Sequence, residues 1–230
     1  MTVTATGSTP AAERTLIERY AEAAHAFQPR PVDRVLRALD VALAGAALMA
    51  AAPVLAVCAV LVRLSGSRVL YRGARVGRFG ETFTMYKLRT LRPDAEQRIG
   101  HHLGEELTRL TETELTPVGA FLRRTKLDEV PQLYNVLAGD MSLVGPRPIR
   151  PTFFVELCEE IPAYWQRLVV RPGVTGFAQL RLTREMTWAE KLAHDFEWIA
   201  DRSVRLYFAI LADTAWTLMT RPPGGPVGRI

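Results

Sequence analysis

Two adjacent carboxylates, Asp128 and Glu129, follow Arg123, Arg124 and Lys126, and precede Gln132, Asn135 and an arginine, Arg147, set between two prolines. Neighbouring carboxylates repel each other, so ionising both is costly unless cations or a divalent metal lie close. That combination suits phosphate chemistry. An aspartate can attack a phosphoryl group to form an acyl-phosphate, while a metal neutralises diphosphate charge and arginines hold the oxygens. Taken alone, the two acids also fit a purely structural role. Thr125 and Asp128 have capping-box spacing, and acids in a first turn complement the helix dipole. The surrounding polar cluster tips the reading towards chemistry.

These residues need a helix and a strand to hold them. Val130, Leu133, Tyr134 and Leu137 recur at helical spacing, Pro131 is tolerated in a first turn, and Gly139 supplies a stop. Upstream, Arg68–Gly77 and Glu81–Thr90 are rich in β-favouring residues around the turn sequence GRFG, which predicts a β-hairpin. Lys87 and Arg89 alternate onto one face of its second strand, where they could meet phosphate or simply face solvent; spacing alone favours solvent. Gly73, Gly77 and Gly80 make no dinucleotide fingerprint. His101 and His102 have no third ligand at a recognised spacing, so no metal site is read there.

The stretch Val41–Val62 carries no charge. As a straight helix it is about 33 Å long, close to the ~30 Å of bilayer hydrocarbon. Arginines flank it on both sides: Arg30, Arg34 and Arg37 before it, and Arg63, Arg68, Arg72, Arg75 and Arg78 after. The positive-inside rule therefore draws both ends to the cytoplasmic face. Pro53 removes one helical hydrogen bond near the middle. Together these features predict a proline-broken re-entrant helix; a simple span and a buried core helix are the alternatives. Before it, Ala11–Phe27 reads as an amphipathic helix ended by PRP, behind a polar leader.

The whole sequence has 230 residues, 48% of them hydrophobic, and a net charge of +5, which suits nucleic acid, anionic lipid or phosphorylated substrates alike. Its two cysteines, Cys58 and Cys158, indicate neither a disulfide framework nor a metal site. A nucleic-acid binder has only charge in its favour.

KLRT (Lys87–Thr90), the block Leu122–Pro148 and RPGVTGFAQL (Arg171–Leu180) resemble the signature blocks of bacterial sugar transferases, the monotopic phosphoglycosyl transferases. The likeness runs from about Arg34 to Met219. It implies transfer of a sugar 1-phosphate from a nucleotide diphosphosugar, with uridine the expected nucleotide, to polyprenyl phosphate in the membrane, with a covalent phosphosugar–aspartyl intermediate and Mg²⁺. By motif position Asp128 is the implied nucleophile, and Glu129 the Mg²⁺ ligand and assistant in acceptor activation. Lys87, Arg89, Arg147 and Arg171 are implied phosphate binders; from the polar cluster rather than the resemblance, Gln132 and Asn135, one turn further along the helix, are expected as further substrate contacts. Ala52-Pro53 stands where the family often has Ser-Pro, and KLRT replaces Lys-Phe-Arg-Thr. Neither the sugar nor self-association into a homo-oligomer can be read.

The expected architecture is α+β and mainly helical. It comprises a leader with an amphipathic helix (1–33), a re-entrant membrane helix (34–66), a cytoplasmic catalytic domain with interfacial helices (67–220) and a tail (221–230). The expected setting is the inner membrane, where such an enzyme would start polysaccharide or glycoconjugate assembly. A catalytically silent membrane scaffold is the competing class.

Overall fold

A computed structural model describes residues 29–66, 68–99, 104–181 and 186–220. The amphipathic helix expected over Ala11–Phe27, the histidines 101 and 102 and the tail after 220 lie outside them. The chain is mostly helical. Helix α1, Pro31–Leu64, starts on a proline whose fixed φ suits a first turn, and the Arg30 backbone N–H donates to Asp33 Oδ2 at 2.8 Å. Its helical hydrogen-bonding pattern runs on past Pro53 to Leu64.

The hairpin forms as the alternation predicts. Strand β1, Leu70–Val76, pairs antiparallel with β2, Thr82–Leu88, setting Tyr71 opposite Lys87 and Val76 opposite Thr82. Short helices α2 (Ala95–Ile99) and α3 (Gly104–Thr113) lead to α4, Pro117–Thr125, which Thr116 caps by accepting from the Gly119 N–H. A 3₁₀ turn, Leu127–Glu129, joins α4 to α5, Gln132–Ala138.

Then comes an element that the sequence did not announce. Strand β3, Ser142–Val144, pairs in parallel with β4, Gly173–Thr175, after the chain has passed through α6, Pro151–Glu160, and a 3₁₀ stretch, Tyr164–Val169. Two three-residue strands carry almost no periodicity, so their glycines are the readable sign. A Cβ on Gly173 would fall 2.0 Å from the Gly145 nitrogen, so only glycine lets the two backbones come this close. The VGPRP and RPGVT segments are thereby clamped together. Helices α7 (Phe177–Leu180), α8 (Trp188–Asp201) and α9 (Val204–Thr220) complete the described chain.

Both ends of α1 pack on the same body. Leu36 and Ala44, in its first half, join a core with Val136, Met141, Val144, Trp198 and Tyr207. Cys58 and Val62, near its end, join Leu88 and Leu122. Between them the surface is apolar and bare: Met49 is 75% exposed and Val57 60%. Asp40, buried in the first half, accepts from Tyr207 Oη, Ser142 Oγ and the Leu143 N–H through Oδ1, tying α1 to α9 and β3. Arg202 grips Asp33 with Nε at 2.6 Å and Nη2 at 3.0 Å, fastening the base of α1 to the α8–α9 corner. The long apolar helix of the sequence is therefore docked on the domain through both its halves, with most of its apolar stretch left unburied.

Candidate active site

Thr125 does not cap the helix that carries the acids. Its hydroxyl bonds back to the carbonyls of Phe121 and Leu122, so it finishes α4. The expected capping box is not made, because Lys126 takes a left-handed conformation at φ 59° and turns the chain before a new helix can begin. For a non-glycine residue that conformation costs on the order of 1–2 kcal/mol. The outcome is a sharp corner on which Asp128 and Glu129 sit together in the 3₁₀ turn, facing β2.

Lys87 reaches from β2 to Glu129, Nζ to Oε1 at 2.7 Å, with both side chains 20% exposed. Burial alone would raise the Glu129 pKa, but Lys87 first and Arg147 next outweigh it and hold the group at about 2. It is a carboxylate at any physiological pH. Asp128 is 6% exposed, and its Oδ1 is buried without a hydrogen-bond partner. Burial, then the Glu129 charge, push its pKa up; Lys87, Lys126 and Arg123 oppose the rise. A buried carboxylate oxygen without a donor is an unspent acceptor, poised for an incoming electrophile or cation.

These acids form one wall of a cleft of about 550 Å³. Seven cations line it: Arg75, Lys87, Arg89, Arg123, Lys126, Arg147 and Arg150, against only two acids, Asp128 and Glu129. Such an excess of charge around a concave site suits a polyanion. Tyr71, set opposite Lys87 in the hairpin, also lines it.

Of the residues named from sequence, Asp128, Glu129, Lys87, Arg89 and Arg147 share this cleft. Gln132 is 3% exposed and sits behind it, lining a neighbouring cavity with Lys87, Glu129 and Arg147. Asn135 is elsewhere in role. Fully buried, it accepts from the Tyr86 N–H through Oδ1 and donates through Nδ2 to the Thr84 carbonyl at 2.8 Å and Asp140 Oδ2 at 2.9 Å. All three bonds are within the protein, and they lock α5 to β2. Arg171 also lies away from the carboxylates. Its Nε donates to the Gly139 carbonyl at 2.8 Å, while Arg37 caps the Val136 and Leu137 carbonyls beside it. Two cations thus serve the C-terminal end of α5, where the helix dipole is negative.

Arg147 is held from two sides. Its guanidinium donates to Gln179 Oε1 at 2.9 Å, and its backbone carbonyl accepts from Arg167 Nη2 at 2.9 Å. Arg167 is itself buried against Asp195 of α8 at 2.8 Å and donates to Tyr164 Oη. Among the described residues no cluster of three or more His, Cys, Asp or Glu forms a metal site.

A family model described as bacterial sugar transferase matches residues 32–221. The chain belongs to the bacterial sugar transferase family. Among the relatives of this sugar transferase is the UDP-N-acetylgalactosamine-undecaprenyl-phosphate N-acetylgalactosaminephosphotransferase of Aeromonas hydrophila, 34% identical over 197 residues, covering 84% of this chain and 45% of that protein. The UDP-glucose:undecaprenyl-phosphate glucose-1-phosphate transferase of Escherichia coli (strain K12) is 36% identical over 182 residues, 75% of this chain and 38% of the other. An exopolysaccharide production protein of Rhizobium leguminosarum bv. phaseoli is 36% identical and matched along 100% of its length. The chain thus spans less than half the length of the first two.

Several parts of this transferase site escaped the sequence reading. Arg75 and Tyr71 lie two strand steps apart, facing the same way as Lys87 across the hairpin, and that period-2 pattern was a usable sign. Gln179 sits inside the block Arg171–Leu180, without a sign that it would hold Arg147; Arg167 and Asp195 gave none. They come from segments far away in the chain that meet Arg147 only through the β3–β4 pairing.

Proposed function

We propose that this protein transfers a sugar 1-phosphate from a uridine diphosphosugar to a polyprenyl phosphate in the membrane, through a covalent intermediate on Asp128. The observation carrying this is Asp128 itself: a buried carboxylate with an unpartnered oxygen, beside a lysine-paired glutamate, on the wall of a cleft with seven cations. Family membership and relatives named for undecaprenyl-phosphate transfer support the reading.

In the first step an Asp128 oxygen attacks the sugar-bearing phosphorus of the donor. The bond from that phosphorus to the bridging oxygen breaks, and nucleoside monophosphate leaves with the electron pair. In the second, an oxygen of the lipid phosphate attacks the same phosphorus; the bond to Asp128 breaks, the carboxylate is restored and a lipid diphosphosugar departs. Arg147, fixed by Gln179 and Arg167, and the cleft arginines hold phosphate oxygens.

The residues fit a Mg²⁺ ion. Its usual protein ligands are one or two carboxylates, with substrate phosphates filling other positions. Glu129 would hold it, Lys87 engaging only Oε1, with Asp128 adjacent. Bound Mg²⁺ supplies neutralisation of charge on the diphosphate.

The bare apolar stretch of α1 supports membrane attachment, and in this reading the cleft opens at the cytoplasmic face of the inner membrane, on the side where nucleotide sugars are made. Detergent- or nanodisc-held protein given Mg²⁺, undecaprenyl phosphate and a panel of uridine diphosphosugars will release uridine monophosphate in a lipid-dependent way with at least one of them. Asp128→Asn will lower that release at least about a thousandfold. Release that survives the substitution would show that Asp128 is not the nucleophile.

A further inference from the structure

On the far side of Glu129 from the polar cleft lies a second groove of about 520 Å³, and its lining differs in kind. Lys126, Glu129 and Arg147 line both spaces. Beyond them the second groove is walled by Val130, Leu133, Val174, Ala178 and Leu180, and it ends at Thr214, Thr217 and Leu218 of α9. We propose that this groove seats the head-proximal isoprenoid units of the acceptor lipid, so that donor and acceptor approach Asp128 and Glu129 through separate mouths. The proposal rests on the reading of the reaction above.

Three observations bear on the occupant. The first is charge. Lys126 and Arg147, which also line the polar cleft, suit a phosphate head; of the other charged lining residues, Arg167 and Asp195 neutralise each other as a buried pair and Lys191 lies over the Trp188 ring. A cationic head over an apolar body fits an amphiphile with one anionic end. The second is the unexpected face of α5. Its inward residues are Gln132, Asn135 and Val136, so Val130 and Leu133, from the apolar stripe of the sequence, are left half-buried on the groove wall. Apolar side chains beside a catalytic carboxylate serve a hydrocarbon ligand, which a nucleotide sugar does not offer.

The third is where the groove leads. Helix α9 packs against α1, and its outer surface bears Phe208, Trp216, Leu218 and Met219 at 44%, 66%, 56% and 74% exposure. Apolar exposure of this kind, interrupted by the exposed Arg205 and Asp213, marks a surface at the membrane interface. A chain leaving the groove past Leu218 therefore emerges among lipids. The volume is that of a pocket for a small-molecule-sized ligand, so it receives the first isoprene units while the rest stays in the bilayer.

The test uses the full-length protein in nanodiscs and two readouts. Thr217→Trp and Leu180→Trp put bulk into the groove away from the carboxylates. They should raise the KM for undecaprenyl phosphate at least tenfold, while the donor KM and the single-turnover burst of nucleoside monophosphate without acceptor stay as in wild type. An acceptor KM within twofold of wild type, with the burst intact, overturns the proposal. Should the burst also be lost, the decisive readout is photocrosslinking of the wild-type protein with farnesyl phosphate bearing a diazirine on its first isoprene unit. Crosslinks at 174–180 and 214–218 support the groove; crosslinks confined to α1, or none, overturn it. This second readout requires no turnover, so a failure of the groove is distinguishable from a failure of the transfer reaction.

Discussion

Asp128 and Glu129 are neighbours in sequence but not equivalent in chemistry. Lys87 and Arg147 keep Glu129 ionised at about 2, while burial and the Glu129 charge raise Asp128 above the usual aspartate range. An aspartate must be ionised to attack phosphorus, so in the proposed reaction the acid limb of the donor half-reaction should belong to Asp128 and lie above pH 3.8, its ordinary value. Lys87 is one of the cations opposing that rise. Replacing it by methionine should lower the rate and move the acid limb to higher pH, as read from nucleoside monophosphate release across a pH series. A limb that stays put or moves lower would show that Lys87 does not set the Asp128 charge. The stability linkage has the opposite origin. Glu129, with its depressed pKa, contributes stability that is present above about 4.5 and is lost as pH falls towards 2, so acid unfolding should begin at higher pH in Glu129→Gln.

At the scale of elements, the site depends on locks that touch no substrate. Asn135, itself fully buried, accepts from the Tyr86 N–H and donates to the Thr84 carbonyl of β2, so an apolar replacement removes the partner of both. Asn135→Leu should therefore cost roughly 2–4 kcal/mol of stability, seen as a lowered Tm, whereas a substrate contact would raise donor KM at unchanged Tm. Gly119 is a second lock: a Cβ there would lie 1.9 Å from the Thr90 carbonyl oxygen, so α4 can approach the end of β2 only with glycine. Gly119→Ala should lower both Tm and turnover by pushing Arg123 and the acidic corner away from Lys87. The hairpin, α5 and its glycine stop were legible in the sequence because period-2 alternation, helical spacing and the αL preference of Gly139 are local signals. Of the apolar stripe, Leu133 and Leu137 pack against the core while Tyr134 is exposed, and the polar Asn135 is buried because its side chain bonds the backbone of β2 across 49 and 51 residues. Asn135 was therefore assigned to substrate on composition, when tertiary hydrogen bonds claim it.

For the whole molecule the telling feature is α1. At 34 residues it is about 51 Å long, enough to cross a bilayer. Yet Ala44 and Cys58 both pack against the one body, while apolar surface is bare between them, at Met49, Val54 and Val57, and also beyond them, at Leu61 and Leu64. Contacts of both halves of the helix with one body are the packing that a re-entrant arrangement, with both ends on one side of a membrane, would have, in line with the arginines counted on each flank. Single cysteines placed at Pro29 and Gly66 should both react with an impermeant maleimide from the same side of sealed vesicles; labelling from opposite sides would contradict this packing. The native thiols are buried, and burial pushes Cys158 up to about 12, so neither should compete. The flanking charge and the length of the apolar run were open to reading in the sequence. The docking of α1 through Asp40 was not, since nothing local announces that one helix acid will collect a tyrosine, a serine and a backbone N–H from two distant elements.

The central claim is a covalent bond between Asp128 and the sugar phosphate, and it can be read without any acceptor. Protein incubated with Mg²⁺ and its uridine diphosphosugar alone, quenched in acid and weighed by mass spectrometry, should gain the mass of one sugar phosphate on the peptide carrying Asp128, and Asp128→Asn should gain nothing. No added mass on wild type while lipid-dependent release proceeds, or the same mass on another residue, would contradict the account.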